Sequence, residues 1–314
     1  MKDMMYAVLI LVIGFVLLIK GADFFVDGSS SVAKKLRVPS IIIGMTIVAM
    51  GTSLPECAVS VTAAMTHNNG LAIGNVIGSN IFNLMVVCGA CTLFMPLVVS
   101  KETMRREFPF SVFCAALLIV LGYLGLELGR ADGIILLVLF VAYLIYMVYF
   151  AVTGRTEVTE EEEYTILPGW KCTVYIIGGM IAIKYGGDFV VSGATTIATG
   201  FGISQTIIGL TIVALGTSLP ELVTSIVAAR KNELDMAVGN VIGSNIFNIL
   251  LILGVAATIS PVAFSMENLM DTIALILMSL IVWLFAHSKE KIVKGEGIAM
   301  LVMYAVYMVY ICVR

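Results

Sequence analysis

The sequence predicts an all-α integral membrane protein of ten transmembrane helices arranged as two inverted five-helix repeats. Its 314 residues are 60% hydrophobic and only 12% charged, with a mean hydropathy of +1.06, which leaves too little polar surface to clothe a soluble globule. The apolar runs are long and near-continuous, as helices crossing a core of roughly 30 Å require and alternating barrel strands do not. The decapeptide GNVIGSNIFN stands unchanged at Gly74 to Asn83 and at Gly239 to Asn248, an offset of 165 residues. The same offset superposes Gly44 to Glu56 on Gly209 to Glu221, Asp23 on Asp188, Gly28 on Gly193 and Pro96 on Pro261, without a gap from about residue 21 to 96.

Taken in order, the first span covers about residues 4 to 22. No small-residue cleavage site follows Ile19, and Asp23 to Gly28 belongs to the repeat, so this span is retained rather than removed as a signal peptide. The second (39 to 66) and third (71 to 97) hold the duplicated blocks, and the fourth (108 to 128) and fifth (131 to 151) complete a first unit, residues 1–152. A hydrophilic linker, residues 153–170, carries Glu157 and the run Glu160 to Glu163. Four adjacent glutamates do not face one point, so a solvated loop is favoured over a regulatory cation site. The second unit, 171–314, repeats the pattern with spans at 171 to 199, 205 to 229, 236 to 261, 269 to 287 and 296 to 313. An odd number of spans per unit sends the second copy into the membrane from the opposite side, and a pseudo-two-fold axis then brings span 2 against span 7 and span 3 against span 8 near the midplane.

Basic residues set the orientation. Connections after odd-numbered spans carry Lys34, Lys35, Arg37, Lys101, Arg105, Arg106, Arg155, Lys171, Arg230, Lys231, Lys289, Lys291 and Lys294; the other side carries Lys2, Arg130 and Arg314. The positive-inside rule therefore predicts a multi-pass protein of the cell membrane with both termini outside and the linker in the cytoplasm. Lys20 and Lys184 lie within spans, where their long stems can snorkel. The six cysteines form no disulfide framework, and Cys88 and Cys91, one turn apart in an apolar helix, read as packing. His67 and His287 are isolated near span ends.

Chemistry concentrates in the duplicated blocks. Pro55 and Pro220 lack the N–H that would bond the carbonyls of Gly51 and Gly216, so each releases a backbone oxygen at membrane depth. Glu56 and Glu221 follow with no basic residue nearby; an ionised carboxylate in that medium needs a proton or a bound cation. Thr52 and Ser53 precede Glu56 by four and three residues, as Thr217 and Ser218 precede Glu221, which on a continuous helix puts hydroxyl and carboxylate on one face. Asn75, Ser79 and Asn83 recur every four residues, as do Asn240, Ser244 and Asn248, giving each third span a polar stripe. Such residues alone are commonly helix-packing glue; duplicated beside the glutamates they read as a cage. The ligand set is all oxygen, which suits calcium, while the hydroxyl and carbonyl oxygens suit sodium and protons compete for the carboxylates.

GTSLPE followed by GNVIGSNIFN, present in both halves, resembles the two alpha-repeats of the sodium/calcium exchangers in the cation/calcium exchanger superfamily. The resemblance implies five-plus-five inverted repeats, extracellular termini and alternating access, with one calcium exchanged for several sodium ions. It also implies that Glu56 and Glu221 are carboxylates shared by calcium and sodium and that Thr52 and Thr217 offer carbonyls to calcium. Ala49, Ser53, Ser79, Ala214, Ser218 and Ser244 would line sodium positions, with Asn83 and Asn248 at the middle. The potassium-dependent branch carries Asp at the position of Asn248, so Asn suggests potassium independence. The expected protein is thus no enzyme but a secondary active antiporter with Ca2+, Na+, competing H+ and the lipid bilayer as partners, no nucleic acid and no resident cofactor. A calcium/proton antiporter is the alternative. An intramembrane hydrolase is disfavoured because the duplication supplies no distinct nucleophile or asymmetric acid and base, and a channel would conduct without counterflow.

Overall fold

The computed structural model describes residues 2–66, 69–153, 166–203, 208, 211, 212 and 214–313. His67, Gly209, Arg314 and the acidic part of the linker, including Arg155, Glu157 and Glu160 to Glu163, lie outside the described residues. The helices are α1 (Lys2–Leu36), α2 (Ser40–Thr52), α3 (Leu54–Met65), α4 (Gly70–Phe94), α5 (Lys101–Arg105), α6 (Glu107–Gly125), α7 (Arg130–Thr153), α8 (Gly169–Gly200), α9 (Leu219–Arg230), α10 (Leu234–Ile259), α11 (Met266–Lys289) and α12 (Lys294–Val313). Among the described residues eight helices are long and apolar enough to cross a membrane, and α2 with α3, bent by 50°, makes a ninth. The seventh predicted span, 205 to 229, is represented among the described residues by the helical turn Ala214–Gly216 and α9. The chain is a predominantly helical, multi-pass membrane protein, in keeping with the all-α class expected from the sequence.

The first span is longer than expected. α1 continues past Ile19 to Leu36 because its polar end is held from outside: Lys231 reaches Asp23 at 3.1 Å and Asp27 at 2.7 Å, and Glu233 bonds Ser30 and pairs with Lys34 at 3.7 Å. α1 runs antiparallel to α8 with glycines every seven residues at the seam. A Cβ on Gly14 would meet the Gly186 carbonyl at 2.9 Å, one on Gly21 the Gly179 carbonyl at 3.0 Å, and one on Gly193 the Ala7 carbonyl at 2.8 Å, so the two backbones lie in direct contact.

α4 and α10 form the centre, and every residue from Met236 to Asn248 is buried. The outer helices present Val138, Val141 and Ile145 of α7 and Val302, Val306 and Val309 of α12 outward, an apolar face suited to lipid. Two short antiparallel strand pairs, unforeseen in the sequence, join the halves: β1 (Leu97–Val98) pairs with β4 (Lys291–Ile292), and β2 (Glu127–Leu128) with β3 (Val262–Ala263). Each ties the end of a span in one half to the end of a span in the other.

Candidate functional site

Both proline motifs break their helices in the same way. Ser53 adopts φ −82°, ψ 8° and Ser218 φ −94°, ψ 5°, each followed by a helix with proline in its first turn, where a missing N–H is harmless. This break corrects the expectation that hydroxyl and carboxylate of one motif share a helical face. At the first motif the two helices bend by 50°, and in both motifs the serine bonds the glutamate of the other copy. Ser53 Oγ donates to Glu221 Oε1 at 2.9 Å, and Ser218 Oγ donates to Glu56 Oε1 at 3.0 Å. The two carboxylates therefore belong to one site, each bound by the serine that precedes the other.

Both glutamates are fully buried, and none of the seven ion pairs among the described residues includes either of them. Glu56 Oε2, Glu221 Oε2, Asn83 Oδ1 and Asn248 Oδ1 are buried without a hydrogen-bond partner. Four acceptor oxygens, two from each copy of the repeat, are thus buried without a donor. Unsatisfied acceptors at this depth are costly, and carboxylate and amide oxygens are ligands that a hard cation accepts.

The remaining predicted residues divide. Ser79 joins the site, 3.5 Å from Glu56 Oε1 and 3.1 Å from Ser218 Oγ; Ser244 is buried with its hydroxyl unpartnered. Thr52 Oγ1 donates to Asn240 Oδ1 at 3.1 Å, and Thr217 is half-buried. Ala49 is buried, with its carbonyl taken by the Ser53 N–H at 3.1 Å; the side chain of Ala214 lies outside the described residues. Asn75 and Asn240 act as ties between adjacent helices, donating to Ser60 and Ser225 at 3.0 and 2.9 Å and towards the carbonyls of Glu56 and Glu221. The polar stripe is therefore split between tie and cage.

Sequence reasoning passed over Asn80 and Asn245. Asn80 Nδ2 donates to the Asn245 carbonyl at 3.1 Å, and Asn245 Nδ2 returns the bond at 3.2 Å. Their side-chain oxygens accept from Asn248 and Asn83 at 2.9 and 3.3 Å, which leaves the Oδ1 atoms of those asparagines free for the site. π-helical turns begin at the same two asparagines, Asn83–Val87 and Asn248–Leu253; such bulges re-aim side chains and recur at functional sites. Asn80→Ala removes one donor and orphans the Asn248 amide, so it is expected to cost about 1 to 3 kcal/mol, read as a lower thermal midpoint in detergent.

The identical decapeptides sit in unlike surroundings. Gly74 is exposed and Asn75 and Gly78 are half-buried, whereas Gly239, Asn240 and Gly243 are buried. In the second copy α2 lies directly on α10, where a Cβ on Gly239 would come 2.6 Å from the Ile41 carbonyl and one on Gly243 2.6 Å from Met45 Cα. Backbone packing covers Gly239 and Gly243, whereas among the described residues nothing lies within 4 Å of a Cβ placed on Gly74 or Gly78.

A family model described as sodium/calcium exchanger protein matches residues 6–149 and 171–313. The sodium/calcium exchanger MaX1 of Methanosarcina acetivorans is 32% identical over 339 aligned positions, covering 96% of this chain and 97% of that protein. The inner membrane protein YrbG of Escherichia coli is 36% identical over 292 positions, 89% of this chain and 90% of its own length. A solved structure of the sodium-calcium exchanger NCX_Mj, soaked with sodium and strontium, matches with a TM-score of 0.85 at 35% identity and covers 98% of each chain.

Proposed function

This chain belongs to the sodium/calcium exchanger family, a family of membrane antiporters and not of enzymes, and from that premise we propose that it exchanges calcium for sodium by alternating access. Calcium and a sodium load compete for one midplane site built on Glu56 and Glu221. The observation that carries this reading is the set of four unpartnered oxygens, Glu56 Oε2, Glu221 Oε2, Asn83 Oδ1 and Asn248 Oδ1, drawn from both repeats. Calcium accepts six to eight oxygens in flexible geometry, and the hydroxyls of Ser53, Ser79, Ser218 and Ser244 with the carbonyls of Thr52 and Thr217 supply more. The ions are cargo, so no resident cofactor enters the scheme.

Alternating access draws support from the unequal burial of the two decapeptides: equal sequences in unequal packing can trade places at little net cost. Residues 1–152 and 171–314 act as the two repeats, 153–170 as the cytoplasmic linker, and both termini lie outside the cell membrane, as the basic residues favour. A bare site, with two ionised carboxylates and no cation, is too costly to reorient through the low-dielectric interior. Obligatory exchange follows.

In liposomes, calcium uptake is expected to follow an outward sodium gradient with the proton gradient collapsed. Uptake that ignores sodium and follows protons would replace this reading with calcium/proton antiport. If each cycle moves unequal charge, uptake should also accelerate or slow with an imposed potassium-valinomycin potential, by up to about 2.3 kcal/mol per charge per 100 mV.

A further inference from the structure

Away from Glu56 and Glu221, α6 and α7 line a half-open cavity of about 310 Å³ bounded by Phe110, Leu139, Tyr143, Tyr146 and Met147, with Arg106 and Glu107 also in its lining. Glu107 is 6% exposed, and its Oε2 is buried with no hydrogen-bond partner. Arg106 lies with its guanidinium 5.8 Å from the Phe150 ring centre, and none of the seven ion pairs among the described residues includes it. This pair is not inherited from the duplication. Ser100 and Ser265, 165 residues apart, cap α5 and α11 alike by accepting from the N–H three residues on, and the same offset sets Asp271 and Thr272 opposite Arg106 and Glu107. A buried carboxylate beside a guanidinium that meets Tyr146 and the Phe150 ring but makes no ion pair among the described residues, at the end of an apolar cavity and as a pair absent from the twin, is a cost to folding that the transported ions do not explain.

We propose that this cavity binds an ethanolamine phospholipid of the surrounding bilayer, with its ammonium on Glu107, its phosphate on Arg106 and part of an acyl chain among Phe110, Leu139 and Met147. The chemistry selects that headgroup. A primary ammonium donates hydrogen bonds to a carboxylate, whereas a choline headgroup has no donor and a glycerol headgroup brings no positive charge. Arg106 belongs to the basic set that marks the cytoplasmic interface, the depth at which phosphates lie. The cavity also touches the transport machinery: Tyr143 stacks on Phe110 at 5.6 Å and donates to the Met45 carbonyl at 3.5 Å, in the π-helical turn of α2 that packs on α10. A lipid held there braces α7 against α2.

Native mass spectrometry of the full chain, offered equal phosphatidylethanolamine, phosphatidylcholine and phosphatidylglycerol, is expected to show retention of the ethanolamine lipid. Glu107→Gln should lower that retention by about tenfold or more, the equivalent of a lost charge-assisted hydrogen bond. Arg106→Gln, on an exposed side chain, provides a second variant and should weaken the same lipid. Calcium flux, which rests on the exchange reading, should be severalfold higher in phosphatidylethanolamine with phosphatidylglycerol than in phosphatidylcholine with phosphatidylglycerol, with the difference gone in Glu107→Gln. Equal retention of the three lipids by the wild type, or an ethanolamine preference that survives both substitutions, would overturn the proposal whatever ion the protein carries.

Discussion

Glu56→Gln is expected to abolish sodium-driven calcium uptake while leaving the fold in place. The amide keeps the shape of the carboxylate and can still accept from Ser218 and Ser79, which lie 3.0 and 3.5 Å from Glu56 Oε1. It removes the charge, however, and sets an N–H2 where one acceptor stood. Losing one charged partner of a buried ionic contact costs about 3 to 5 kcal/mol, or roughly 10²- to 4 × 10³-fold in cation affinity. Stability should move the other way in cation-free buffer, since two like charges no longer face each other in a dry site. Two measurements separate these effects. Wild-type protein should gain thermal stability as calcium is added, by the mass-action term for a ligand bound only to the folded state; the variant should melt no lower than wild type without calcium and gain little with it. Near-normal flux in Glu56→Gln would remove that residue from the site.

Much of this site is legible in the sequence because duplication supplies an internal control. One proline-glutamate pair inside an apolar run could be a kink; two at a constant offset, with identical decapeptides beside them, single out Ser53, Glu56, Ser79, Ser218 and Glu221, which hydrogen bonds join. What escaped has local physical causes. Ser53 and Ser218 do not share a helical face with their own glutamates because the proline motif ends one helix and starts another. Asn80 and Asn245 were hidden by the four-residue stripe, since they lie on the neighbouring face and do their work by orienting Asn83 and Asn248. The extent of α1 was masked by Asp23, Asp27 and Lys34, whose partners stand about two hundred residues away on Lys231 and Glu233. Gly14, Gly21 and Gly28 recur every seven residues, as do Gly179, Gly186 and Gly193; that period marks the α1–α8 seam and could have been read. The strand pairs could not, because two residues carry no alternation.

Gly74→Val and Gly239→Val, the same substitution in identical decapeptides, are expected to fail in different ways. At Gly239 an added Cβ would stand 2.6 Å from the Ile41 carbonyl and 3.1 Å from the Met45 amide nitrogen, backbone atoms that cannot swing aside. Valine there forces α2 off α10, and the predicted result is loss of monodisperse protein or a much lower thermal midpoint. Gly74 is exposed in this arrangement, so Gly74→Val should fold, melt near wild type and still gain stability from calcium. Its transport should nevertheless fall. If the repeats exchange environments during the cycle, Gly74 must in turn lie under the counterpart of α2, and the added methyl groups meet backbone there. Overpacking of this kind costs about 1 to 3 kcal/mol, which depletes the exchanged conformation by about 5- to 150-fold and should slow calcium flux by a similar factor. Calcium-dependent melting and flux measured on the same preparation decide the matter: a Gly74→Val protein that binds calcium and exchanges it at the wild-type rate would mean that the two copies never trade places.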